Sequence, residues 1–195
     1  MHVFEAATPA PKRHTALTIW AVIVLATTGP ALLAWVVRAV AFAYRCKPGP
    51  APCHGIALGG GLHDMLDLAW LIGTETSSVV LVAIAAAIAA LCAKKPLLGG
   101  LSAFVLPPAT LMLPTMAVYV STYDGCAVNE AGAGSCLLWG AKMGMSFHNA
   151  AMAPWLLYEI MPYSVAAAVM LGVIGWAFCR QKACTDQKKA CTDQK

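Results

Sequence analysis

GGGLHDMLDLAW (59–70) and GMSFHNAAMAPW (144–155) share a glycine-led approach, a histidine, and a tryptophan seven residues later: His63 to Trp70, and His148 to Trp155. One such coincidence carries little, so the flanks decide whether the match means duplication. Pro30-Ala31 corresponds to Pro108-Ala109, and Tyr44-Arg45-Cys46 to Tyr123-Asp124-Gly125-Cys126. Cys53 then corresponds to Cys136, Glu75 to Glu159, and Cys92 before Lys94-Lys95 to Cys179-Arg180. The order is the same throughout, which is the signature of a copied unit.

The solvent for that unit is lipid. Of the 195 residues 59% are apolar and only 11% charged, well outside the soluble range. The apolar character concentrates in four runs, 15–44, 77–93, 97–123 and 164–179. A spanning helix needs about 20 mainly apolar residues. The second and fourth runs therefore borrow residues upstream, from about Leu68 and Trp155. The expected fold is an all-α membrane protein with four transmembrane helices, arranged as two tandem two-helix repeats. Two spans return the chain to its starting side, so the copies share one orientation and a pseudo-twofold axis along the membrane normal. The expected organisation is an N-terminal segment 1–14, a first hairpin repeat 15–93, a second 94–181, and a disordered tail 182–195 built from two copies of KACTDQK.

With a cytoplasmic N-terminus, nine Lys/Arg lie inside (12, 13, 94, 95, 180, 182, 188, 189, 195) and three outside (Arg45, Lys47, Lys142). The positive-inside bias thus favours a multi-pass protein of a bacterial inner membrane or its equivalent, with both termini cytoplasmic. The first run is too long for a cleaved secretory signal and is expected to stay as an anchor. No basic stripe with interleaved aromatics suggests nucleic acid. Trp70, Trp139 and Trp155 are expected in an interfacial aromatic belt.

Cys46, Cys53, Cys126 and Cys136 fall in the two outside loops, and an even external set in an oxidising compartment predicts disulfides. Pairing each loop on itself, Cys46 with Cys53 and Cys126 with Cys136, costs least closure entropy. Each staple is worth about 2–3 kcal/mol. The helix from His63 to Cys92 is too long for the bilayer, so a bend is expected at Gly73, and at Pro154 or Pro162 in the second copy.

His63 shares a helix face with Asp67, four residues on, and His148 with Glu159, eleven on. If the two histidine helices meet, these four groups form a candidate site for a divalent transition metal, and two facing imidazoles alone suit a haem. Arg38 lies inside the first span, where a charge calls for a partner; Glu75, Glu159 and Asp67 are the candidates, with snorkelling to the interface as the alternative.

Four helices with outer cysteine pairs are similar in outline to membrane thiol oxidases such as vitamin K epoxide reductase. Those depend on a CxxC pair, and this sequence has none. The leading expectation is a small integral-membrane subunit or scaffold that joins other membrane subunits and holds a metal or haem near the outer face. Two alternatives stand beside it: a thiol or quinone oxidoreductase using the outer cysteines, and a solute or ion transporter acting as a homodimer.

Overall fold

The computed structural model describes residues 13–192 apart from 57, 127 and 129–135, with the backbone alone for residues 13 and 176–192. Residues 1–12 and 193–195 lie outside the described chain.

Five helices account for most of it: α1 (Arg13–Ala43), α2 (Leu58–Gly73), α3 (Thr76–Cys92), α4 (Pro96–Tyr119) and α5 (Gly144–Thr192). Three stretches are long and apolar enough to cross a membrane, His14–Ala43, Pro96–Tyr119 and Gly144–Gly175. The fourth candidate is α2 with α3, which meet at an angle of 83°. Alone, α3 has 17 residues, about 26 Å, slightly short of a hydrocarbon core.

The bend falls where a glycine was expected to allow it. A Cβ on Gly73 would lie 2.9 Å from the Thr110 carbonyl oxygen, so α2 ends in backbone contact with the middle of α4. The chain then turns through Thr74, whose Oγ1 donates to the Trp70 carbonyl at 2.7 Å, and restarts at Thr76. Neither Pro154 nor Pro162 breaks α5. Helix α5 continues over residues 182–192. No glycine or proline follows Gly175 to stop it, and the repeat is built from residues a helix tolerates.

Helix α1 runs parallel to α4. Trp20 Nε1 donates to Ser102 Oγ at 2.8 Å, Trp35 Nε1 to the Leu113 carbonyl at 3.0 Å, and Arg38 to the Val120 carbonyl, so both sequences advance together along the seam. Helix α3 returns antiparallel to α4 through Lys94-Lys95. It presents a stripe of Val79, Ala83, Ala86, Ala87 and Ala90. Small side chains let backbones approach closely where lipid gives no hydrophobic drive. Gly99 meets this stripe, its Cβ position being 3.3 Å from the Ala87 carbonyl.

One basic residue terminates each of α1 and α3. Arg45 and Lys94 take positive φ (54° and 59°), and the next amide reaches back to Ala41 and Ala90. These are Schellman ends with a long side chain in the place that glycine usually takes.

The two disulfides gather at one end of the bundle, the disulfide end. There the main apolar core combines Leu62, Leu66 and Trp70 of α2 with Leu111 and Val118 of α4, Phe147 and Ile160 of α5, and Leu138, Trp139 and Met143 of the connecting hairpin. A smaller cluster at the other end packs Ala83, Ala86 and Leu106 against Trp20, Ile23 and Val24.

Candidate functional site

The disulfide end is organised by a two-residue hairpin, β1 (Leu137–Leu138) and β2 (Ala141–Lys142). Trp139 and Gly140 at its tip have φ of 47° and 84°, positive at both positions as a type I′ turn requires. A bulky residue with positive φ needs outside support. Here the Trp139 amide donates to the Gly49 carbonyl at 2.8 Å, the Gly140 amide to Pro50 at 3.1 Å, and the Trp139 indole to Lys47 at 3.0 Å. The tip therefore grips loop 47–50, and Trp139 is buried to 2% exposure. Helix α2 starts against the same hairpin: a Cβ on Gly59 would sit 2.5 Å from the Leu138 carbonyl oxygen.

Arg38 completes the clamp. Its Nη2 donates to the carbonyl of Val120, the residue that ends α4, and its guanidinium lies over the Trp139 ring at 5.1 Å. A cation at a helix C-terminus meets the partial negative charge of the last carbonyls. The expected carboxylate partner is replaced by a helix end and an aromatic face. Glu75 is exposed at the α2–α3 break, and Asp67 and Glu159 are exposed as well.

Both disulfides pair within their own loops as expected, Cys46 with Cys53 and Cys126 with Cys136, at Cα separations of 5.6 and 5.0 Å. They differ in setting. Cys53 is as buried as Cys136, at 7% exposure each, and Cys126 is at 1%, whereas Cys46 is half-buried and the exposed His54 adjoins Cys53. Cys53–Ile56 forms a tight turn, with His54 and Gly55 at φ of 46° and 73° and the Ile56 amide donating to the Cys53 carbonyl at 2.8 Å.

His63 and Asp67 do come together, Nδ1 to Oδ2 at 3.3 Å, in a contact not aligned as a hydrogen bond. His148 is half-buried near the start of α5. The Nδ1 atoms of both histidines are buried without a hydrogen-bond partner, as are Trp70 Nε1 and Ser146 Oγ. No three of His63, Asp67, His148 and Glu159 offer ligand atoms within 4.8 Å of one another. Among the described residues, Cys46, Cys53 and His54 alone do so.

The tryptophans depart from the expected belt. Trp70 and Trp139 are core residues, each 2% exposed, and of these three only Trp155 faces outward, at 65%. Periodicity could have shown this for Trp70, since it continues the Leu62–Leu66 stripe. His54 was passed over in the sequence, although Cys-His-Gly at 53–55 places an imidazole next to a loop cysteine in a turn-forming setting.

Compared with known proteins, the chain matches no family, no curated protein and no solved structure.

Proposed function

We propose that this protein is a small integral-membrane subunit or scaffold of a larger membrane assembly, with the disulfide end on the exterior side and both termini cytoplasmic. The observation that carries this reading is uneven coverage of the apolar helices. The most apolar window of α4 is 56% buried, while those of α1 and α5 are 22% and 17% buried. Between α1 and α4 runs an open apolar groove lined by Trp20, Val24, Leu98, Leu101 and Val105. Helices of partner subunits would cover these faces, and the parallel α1–α4 seam supports two copied hairpins with one orientation.

The orientation rests on the nine-to-three distribution of basic residues and on the need of the disulfides for an oxidising compartment. The reading keeps a haem or transition metal at His63 and His148 as its cofactor, on the ground that the buried His148 Nδ1 has no hydrogen-bond partner and the His63 Nδ1 has only the exposed Asp67 carboxylate at 3.3 Å.

Extraction in mild detergent followed by crosslinking and native mass measurement tests the assembly. A stable complex with other membrane proteins is the expected result, and a chain that runs alone in detergent and in nanodiscs overturns it. An absorption spectrum and metal analysis of the same sample test the cofactor. A bound group lost on His63→Ala and on His148→Ala supports it.

A further inference from the structure

We propose that Cys46, Cys53 and His54 form a redox-gated site for a thiophilic d10 cation, closed while the disulfide is intact and opened by a dithiol reductant. The ligand atoms of these three residues already lie within 4.8 Å of one another. Metal–sulfur bonds of about 2.3 Å and metal–nitrogen bonds of about 2.0 Å require donor separations of about 3.6–4.0 Å. Only side-chain rotation separates the paired sulfurs to that distance.

The backbone is held without help from the disulfide. Loop 47–50 accepts three hydrogen bonds from the Trp139–Gly140 tip, and Pro48, Pro50 and Pro52 restrict its φ angles. Pro52 also packs on the hairpin, 3.9 Å from the Cβ position of Gly140. Reduction therefore leaves two thiols and an imidazole facing one another instead of releasing a slack loop. The turn at 53–56 fixes His54 on the exposed side, where an ion can enter.

The chemistry balances in two steps. A dithiol passes two electrons and two protons to the Cys46–Cys53 bond, giving two thiols and the oxidised dithiol. The cation then replaces both thiol protons and takes one imidazole nitrogen, with no change in its own oxidation state. Two sulfurs and one nitrogen suit Cu(I) in trigonal coordination, or Zn(II) with water as a fourth ligand. The second disulfide serves as an internal comparison: no third ligand joins Cys126 and Cys136 among the described residues.

The test uses the full chain in detergent with Cys92, Cys179, Cys184 and Cys191 changed to Ser, so that only the loop cysteines remain. After anaerobic dithiol treatment and desalting, the chain is titrated with Cu(I) against a chromophoric chelator, and separately with Zn(II). One ion per chain is expected after reduction and none before it. His54→Ala, at an exposed position, should weaken binding about tenfold or more, since even outer-shell partners of a metal ligand are worth that much. Joint Cys46→Ser and Cys53→Ser should abolish binding. Retention of Cu(I) alone assigns the trigonal site, and retention of Zn(II) alone the four-coordinate one. Uptake by the oxidised chain, binding unchanged by His54→Ala, or retention of neither ion overturns the proposal.

Discussion

The two histidine-bearing segments share a glycine, a histidine and a tryptophan at the same spacing and end as different objects. In the first, α2 packs across the bundle, stops at Gly73 and bends by 83° into α3. In the second, the matching residues form the start of α5, which runs unbroken from Gly144 to Thr192 through two prolines. The lesson is that a proline does not by itself break a helix in this setting, whereas at Gly73 the missing side chain lets another helix come into backbone contact where the chain turns. The group met there is the Thr110 carbonyl. Three residues beyond the other tryptophan stands Tyr158, 84% exposed, with nothing to turn the chain aside.

The matched tryptophans give the largest test of this difference. Trp70→Ala empties a core position and should cost about 3–5 kcal/mol of stability. Trp155→Ala removes an exposed ring and should cost about 0.5 kcal/mol or less. Denaturant titration in detergent, following helix content, checks both, and equal losses would break the comparison.

The bend itself comes next. Gly73→Val forces a branched side chain against the α4 backbone and should destabilise by about 1–3 kcal/mol. Tyr158→Val, its counterpart, should leave the midpoint of the same titration nearly unchanged. A Gly73 variant as stable as the parent would mean that α4 does not impose the bend.

The smallest effect concerns the parallel pair α1 and α4. Counting from the matched prolines Pro30 and Pro108, Arg38 corresponds to Met116, which is exposed. Arg38→Met makes the two positions alike. It removes one charged hydrogen bond and one cation–π contact, at a cost of about 1–2 kcal/mol. Because Arg38 holds both the end of α4 and Trp139, amide hydrogen exchange should rise at Val120 and in the 137–142 hairpin ahead of the rest of the bundle.

Much of the candidate site was legible before any coordinates. The two disulfide pairings follow from loop length, and the pairing of His63 with Asp67 follows from helical spacing. What escaped was whatever depends on segments far apart in sequence. For Arg38 the sequence offers a carboxylate or the interface, because charge and depth are visible in a sequence, whereas the carbonyl that ends another helix is not. Trp139 was assigned to an interface because its grip on residues 47–50 joins two loops about ninety positions apart, a separation no local pattern records. His54 was overlooked for a related reason: its position beside two sulfurs exists only once the turn and the closed loop are both formed.

By itself the sequence determined that helices long and apolar enough to cross a membrane form, and which loops close on themselves. These follow from transfer free energy, local backbone preference and short-range closure, each a property of neighbouring residues. The tertiary structure alone decided which histidine-bearing segment bends, which tryptophans are buried and what answers the charge of Arg38. Those outcomes depend on what surface another helix or loop presents at the point of contact, and that surface does not exist until the chain has packed.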